Sequence, residues 1–324
     1  MPPKPKDAIK DWKKHAATWR EFADLIVSVE SILREQHSTG RGKLKKSIPE
    51  ISSAEPFLSF PVVYLPQRGE AIFIGDTHGD SAATTSILKQ ERFAERVERG
   101  EAVYLVYLGD YADRGKEDVR NIELILNLKQ CYPENTFILR GNHEEVAMGQ
   151  SYGLLGSCIR HFDYDNGQYV FRRLNDLFEK FAAVAVCANG VVALHGGIPV
   201  GGVSSLKQLH DDDILEQIRW NDPTDQTDGF VFNHNRGMNY LFGRDVFSKF
   251  MKAIGGSVLI RSHEYVAAGY KFMFDGRILS IFSNGGASTE SGYRDFILTP
   301  KYAKVSLADS IKRWSNKNVI GVRY

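Results

Sequence analysis

Val103-Tyr104-Leu105-Val106-Tyr107-Leu108 runs directly into Gly109-Asp110-Tyr111-Ala112-Asp113-Arg114-Gly115. The first six residues are apolar throughout and rich in the β-branched and aromatic side chains that a buried strand prefers. The two acids therefore stand just beyond a strand end. Ligand sites in α/β sheets form there, because loops converge side chains that the sheet holds still. Two carboxylates and an arginine within five residues, between glycines that permit a tight turn, are costly to explain as packing. The plainer alternative is a solvated turn in which Asp113 only caps the next helix.

The pattern recurs on either side. Ala71-Ile72-Phe73-Ile74 leads into Gly75-Asp76-Thr77-His78-Gly79-Asp80, and Thr136-Phe137-Ile138-Leu139-Arg140 leads into Gly141-Asn142-His143-Glu144. Between these strands the apolar spacing is helical, over 82–99 and again over 117–129, where Val119, Ile122, Ile125, Leu126 and Lys129 share one stripe. Strand, helix, strand at ~30-residue spacing is the βαβ unit of a parallel sheet.

Outward from this centre, Phe22, Leu25, Ile26, Val29, Ile32 and Leu33 predict an amphipathic helix over 19–36. Residues 60–66, bounded by prolines, read as an edge strand. Asp165-Asn166-Gly167 is a turn signal. Helix is expected over 174–181, and strands over 183–187 and 190–194, the second ending in His195-Gly196-Gly197. A helix over 246–254 stops at Gly255-Gly256, and the strand 258–260 delivers Arg261-Ser262-His263-Glu264. Asp275-Gly276 marks a hairpin of 270–274 with 277–282, and 294–298 with 304–307 complete an antiparallel group.

The chain of 324 residues can bury a full core, and no linker divides it. A net charge of +1 gives no bulk attraction to nucleic acid or membranes, so partner choice rests with the site. Cys131, Cys158 and Cys187 have no CxxC spacing and suit a reducing compartment. The first residues carry no apolar leader and no run approaches the ~18 residues of a membrane span, so a soluble, cytoplasmic protein is expected. The proline- and lysine-rich start reads as a solubilising or docking tail.

Collected, the strand-end residues are Asp76, His78, Asp110, Asn142, His195 and His263, with His143 and Asp113 beside them. Carboxylates, imidazoles and an amide suit divalent manganese, iron or zinc, and the lack of thiolates argues against a structural site. The number of ligands fits two ions, one carboxylate bridging. Arg114 and Arg236 are candidates to meet phosphate oxygens bidentately. His143, with Asp113 orienting its ring, could give a proton to a leaving group.

The clusters at 75–80, 109–115, 140–144, 195–197 and 261–264, in this order, resemble the signature series of the phosphoprotein phosphatase family, the metal-dependent serine/threonine protein phosphatases such as protein phosphatase 1. Trp220-Asn221-Asp222-Pro223 and Asn235-Arg236-Gly237 are similar to segments of that family too. The resemblance implies an α/β metallophosphoesterase (calcineurin-like) fold: a β-sandwich of two mixed sheets flanked by helices, with a dinuclear metal site at strand ends. It implies one catalytic domain over 19–324, with its core in 60–310, behind a basic tail at 1–18.

Carried over by position, Asp76, His78 and Asp110 would hold the first metal, and Asp110 as bridge with Asn142, His195 and His263 the second. Arg114, Arg236 and Asn142 would bind phosphate, with His143 and Asp113 as the acid pair. The activity implied is direct hydrolysis of phosphoserine and phosphothreonine in proteins by a metal-activated water, with manganese the expected ion and iron or zinc the alternatives. A related activity on dinucleoside polyphosphates or phosphodiesters is the second reading, and a catalytically dead docking module the third. The chain departs from the family at 283–288, where Ser-Asn-Gly-Gly-Ala-Ser replaces a loop bearing a tyrosine, although Tyr293 is near. Thr77 and Glu264 also differ from the commonest eukaryotic residues, which suggests a prokaryotic-type or divergent member.

Overall fold

A computed structural model of the chain describes residues 17–285 and 299–324. Its strands are β1 (Phe57–Ser59), β2 (Val62–Leu65), β3 (Glu70–Ile74), β4 (Val103–Tyr107), β5 (Thr136–Ile138), β6 (Val184–Cys187), β7 (Val191–Leu194) and β8 (Asp222–Pro223). They continue as β9 (Phe230–Phe232), β10 (Tyr240–Phe242), β11 (Val258–Arg261), β12 (Tyr270–Met273), β13 (Ile278–Ile281), β14 (Lys301–Ser306) and β15 (Val319–Gly321). One sheet has five strands in the order β15-β14-β3-β4-β5, and the other has seven, β1-β2-β6-β7-β11-β13-β12. Both are mixed. A third sheet, β8-β10-β9, adds three short strands that the sequence does not announce.

The seven-stranded sheet is buried on both faces, and its side-chain alternation divides two cores. Val191, Ala193, Val258 and Ile260 face the core shared with β3, β4 and β5, whereas Val192, Leu194 and Leu259 face the core that holds helix Arg244–Ile254. Helix Trp19–Gly40 buries Phe22, Leu25, Ile26, Val29 and Leu33 in the first core. Its start is fixed by a capping box, in which Thr18 Oγ1 accepts from Glu21 N (3.3 Å) and the Glu21 carboxylate accepts from Thr18 N (2.8 Å). Lys129, on the apolar stripe of helix Asp118–Cys131, is buried and donates to Gln36 Oε1 (2.7 Å), Pro133 O (2.8 Å) and Thr136 O (2.9 Å). Burial draws its pKa down to about 7, opposed by the charge of Glu134.

Several expectations are corrected. Asp165-Asn166-Gly167 lies inside helix Tyr164–Phe178 because Asp163 caps that helix, accepting from Asn166 N at 3.0 Å. The proline-bounded strand β2 is internal, since β1 covers its outer side. The helical stretch after Asp80 breaks into Ser81–Gln90 and Phe93–Glu98 at Arg92, which adopts a left-handed backbone. Strand β14 joins β3 in the other sheet instead of extending the hairpin of β12 and β13. The expected strand at 294–298, Tyr293, most of the basic tail and the altered loop beyond Gly285 lie outside the described residues. Among the described residues, no helix is long and apolar enough to cross a membrane.

Candidate active site

β3, β4 and β5 are adjacent and parallel, with Ile74 in register with Tyr107 and Tyr107 with Ile138, so their carboxyl ends align. Asp76 and His78 follow β3, Asp110 and Asp113 follow β4, and Asn142 and His143 follow β5. β7 and β11, parallel neighbours in the facing sheet, deliver His195 and His263. Close approach of these ends requires glycine: a Cβ on Gly109 would lie 2.5 Å from Gly141 Cα and 2.7 Å from His195 Nδ1. His78, Asp110, Asp113, Arg114 and His263 all have positive φ, a conformation that costs non-glycine residues of order 1–3 kcal/mol each. Strain of this kind persists only where surrounding bonds enforce it. Here Thr77 N and His78 N donate to Asp110 O (3.1 and 3.0 Å), His143 N to Asp110 Oδ1 (3.0 Å) and His263 N to Asp76 Oδ1 (3.1 Å).

The donor atoms form two buried groups that share Asp110: His78, Asp110 and His143 in one, Asp110, His195 and His263 in the other. Asp110 Oδ2 lies 3.7 Å from His78 Nε2, which is 3.9 Å from Asp76 Oδ2. Asp110 Oδ1 lies 3.3 Å from His195 Nε2. Asn142 Oδ1 lies 2.9 Å from His195 Nε2 and 2.8 Å from His263 Nδ1. All six expected ligand residues are thus brought together.

The ring orientations test whether divalent ions fit. His78 Nδ1 and His195 Nδ1 each lie 2.8 Å from a backbone carbonyl, of Ala112 and Leu108. A carbonyl only accepts, so Nδ1 carries the proton and each neutral ring presents the Nε2 lone pair to carboxylate and amide oxygens. Lone pairs aimed at one another repel unless a cation lies among them. The donor set therefore fits divalent ions. Burial opposes ionisation of Asp110, yet the positive charge that His195, His143 and His78 carry when protonated holds its pKa well below the usual carboxylate range, a place that cations would take at neutral rings. Burial, and then the Asp110 charge, push Asp76 up to about 6.

Beside this cluster, His143 Nδ1 lies 2.8 Å from Asp113 Oδ2, and Nε2 is 4.0 Å from Asp110 Oδ2. Burial works against the charged imidazole, but Asp110 and Asp113 together raise its pKa above the ordinary histidine value. Arg114 stacks its guanidinium 4.8 Å from the ring centroid of Tyr152, and Tyr152 meets His143 edge-on at 5.2 Å. Arg236 donates Nε to Asp222 Oδ2 (2.6 Å) and reaches His263 O through Nη2 (3.5 Å).

Four supporting residues were not assigned from the sequence. Glu144 accepts from the backbone N–H of Asp110 (2.8 Å), Tyr111 (3.0 Å) and Gly141 (2.8 Å). Asp222 accepts from Arg236, from Asn233 Nδ2 (3.2 Å) and from the wholly buried Arg261 (2.7 Å). His263, Arg261 and Arg236 hold its carboxyl well below the ordinary range against the opposing effect of burial. Tyr152 is the fourth. Glu144, Asp222 and Arg261 all fall within motifs quoted above, so an acid or guanidinium in a segment otherwise bound for burial was the available signal.

A shared carboxylate between two imidazole-bearing groups, at the carboxyl ends of two facing mixed sheets, defines a metallophosphoesterase scaffold. The chain belongs to the calcineurin-like phosphoesterase family, which matches residues 71–267 and so spans every ligand named above. A protein of Encephalitozoon cuniculi (strain GB-M1) named Probable serine/threonine-protein phosphatase is 30% identical over 230 residues, covering 68% of this chain and 48% of that protein. The chain spans about half the length of this curated relative. A solved structure of a protein serine/threonine phosphatase from Saccharomyces cerevisiae, described as similar to human phosphatase PP5, superposes with a TM-score of 0.71. It is 21% identical, with 95% of this chain and 90% of that chain covered.

Proposed function

We propose that this chain is a serine/threonine protein phosphatase, acting on phosphomonoesters of phosphoserine and phosphothreonine in proteins, with residues 19–324 as its catalytic domain. The observation that carries the reading is Asp110, whose two carboxylate oxygens serve different imidazole groups while the His143 and Asp113 pair stands alongside. Asp76, His78 and Asp110 would hold one divalent ion, and Asp110, Asn142, His195 and His263 a second, with manganese the first candidate and iron or zinc the alternatives. Such ions, when bound, supply Lewis acidity and lower the pKa of water into the neutral range.

The protein's own groups do the rest. Arg114 and Arg236 face the phosphate oxygens and, with the Asn142 amide, fix the ester. Asp113 orients the His143 ring through Nδ1 and favours its protonated form, so that Nε2 gives a proton to the departing alkoxide. Tyr152 holds Arg114 in place by stacking.

The test is phosphate release from a phosphothreonine peptide by metal-stripped protein titrated with manganese, beside a dinucleoside tetraphosphate at the same concentration. Manganese-dependent release from the peptide is expected. Activity confined to the nucleotide would overturn the substrate assignment and leave the metal site standing.

A further inference from the structure

Residues 283–285, which follow β13, lie against the loop 75–80 that carries Asp76 and His78. Ser283 N donates to Asp76 O (3.1 Å), and Ser283 Oγ accepts from Gly75 N (2.9 Å). Asn284 is wholly buried and donates Nδ2 to Thr77 O (2.7 Å) and His78 O (3.4 Å). Gly285 N donates to Asp80 Oδ2 at 2.9 Å. From Gly75 to Asp80 the ligand loop is thus bonded to this segment at every residue but Gly79.

Asp80 ties this seam to a second one. Its Oδ1 caps helix Ser81–Gln90 by accepting from Ala83 N (2.9 Å), and its Oδ2 accepts from both Gly285 N and the hydroxyl of Tyr324 (3.0 Å). Tyr324 follows β15, and Gln90, at the far end of the same helix, holds its approach: Nε2 donates to Gly321 O (3.0 Å) and Oε1 accepts from Arg323 N (3.2 Å). The tyrosine rests on Gly285, where a Cβ would lie 1.8 Å from the hydroxyl oxygen. Tyr324 is otherwise 65% exposed, so core packing does not account for where its hydroxyl sits.

The ligand loop needs such a brace. His78 has a φ of 41°, which a residue with a side chain keeps only where its neighbours enforce it. The lone pairs of Asp76, His78 and Asp110 also push one another apart until a cation lies among them. Bonds to Asn284 and Asp80 oppose that outward movement. Ligands already held in place bind an ion more tightly, because less remains to be ordered when it arrives.

We infer that Asn284, Asp80 and Tyr324 are positioning residues for the ion that Asp76, His78 and Asp110 would hold: they latch the loop 75–80, and the Tyr324 hydroxyl closes the latch. This rests on the two-ion reading above. Asn142, His195 and His263 stand on other elements, so the latch acts on one ion of the two.

The test titrates metal-stripped wild type, Tyr324→Phe and Asn284→Ala with manganese by calorimetry. Electron paramagnetic resonance follows the same titration and separates a spin-coupled ion pair from a single ion. Tyr324→Phe takes one hydroxyl from an exposed ring, and it decides the matter alone should Asn284→Ala fail to fold. The wild type is expected to take two ions. The Kd of one ion should rise roughly three- to tenfold in Tyr324→Phe and roughly ten- to a hundredfold in Asn284→Ala, with the other ion within about twofold of wild type. The single-ion signal should then persist to higher manganese, while kcat of Tyr324→Phe at saturating manganese returns to the wild-type value. Unchanged manganese affinities in Tyr324→Phe overturn the latch, whatever its unfolding midpoint. Equal weakening of both ions also overturns it, since the bonds would then support the whole centre and not this loop. A wild type that binds fewer than two ions defeats the two-ion reading, and the latch with it.

Discussion

His143 Nδ1 lies 2.8 Å from Asp113 Oδ2, and Asp113 uses its other oxygen to accept the Leu154 amide, also at 2.8 Å. The carboxylate is thus fixed from both sides, and it fixes the ring. His143→Asn keeps a donor toward Asp113 but removes the proton that would leave with the alkoxide. We expect two bound metal ions to be retained by elemental analysis. Turnover of phosphothreonine should fall roughly 10²- to 10⁴-fold, and turnover of p-nitrophenyl phosphate, with its better leaving group, much less. Loss of an ion in this variant would instead make His143 a ligand, a role its place in the His78 and Asp110 group makes concrete.

Arg236 and Arg261 share Asp222, but substitution at Arg236 should fall on substrate binding and substitution at Asp222 on stability. Arg236 is 26% exposed at the side chain and its ion pair is a rim contact, whereas Arg261 is wholly buried. Arg236→Ala should raise KM for phosphopeptides ten- to a hundredfold, with a stability change of about 1 kcal/mol or less. Asp222→Asn leaves the buried Arg261 guanidinium with Glu264 as its remaining carboxylate partner and should cost about 3 kcal/mol in denaturant unfolding. Equal stability losses in the two variants would show that the Asp222 cluster is not organised around Arg261.

The strand ends were legible because each repeats one local grammar, an apolar run closed by glycine and an oxygen or nitrogen ligand. Asp76, Asp110 and Asn142 could be named from it because β3, β4 and β5 follow one another through short crossovers. His195 and His263 were nameable for the same reason, although nothing in the chain states that β7 pairs with β11. What was not legible is whatever depends on partners distant in sequence. The aspartate-capped helix hides behind a turn-like Asp165-Asn166-Gly167, because one side-chain bond from Asp163 outweighs local propensity. β14 could not be assigned to its sheet, since pairing with β3 joins residues more than two hundred positions apart. Glu144 reads as surface charge until the three N–H groups around it are seen.

Glu144 is wholly buried, and its oxygens gather the amides of Asp110, Tyr111 and Gly141, which belong to the two loops that present the bridging carboxylate and Asn142. Glu144→Gln keeps the volume but turns an N–H donor against at least one of those amides. Setting a buried N–H donor against an amide in this way should lower stability by about 2–3 kcal/mol. Calorimetry of the manganese-loaded variant should also show weakened metal binding, because the loop carrying Asp110 loses its brace. Unaltered unfolding and metal affinity would mean that the three bonds are incidental to the site.

Asp118 offers a test by pH that does not involve the ligand cluster. It is fully buried at the start of helix Asp118–Cys131, with Oδ2 accepting from Ser157 Oγ (2.8 Å) and Oδ1 without a hydrogen-bond partner. Burial, reinforced by the charge of Asp113 and only partly offset by the Ser157 bond, pushes its pKa from 3.8 up to about 7. The folded state therefore binds more protons than the unfolded chain between about pH 4 and about pH 7. The stability that the neutral acid permits is complete below about pH 4 and is lost as pH rises through about 7. Asp118→Asn retains an oxygen for Ser157 and cannot ionise. Relative to the wild type it should change little at pH 4 and gain stability progressively up to neutrality, on the order of 2–4 kcal/mol above pH 7. Chemical denaturation at a series of pH values measures the difference directly. A constant offset between the two proteins across that range would mean that Asp118 is already ionised when the chain folds.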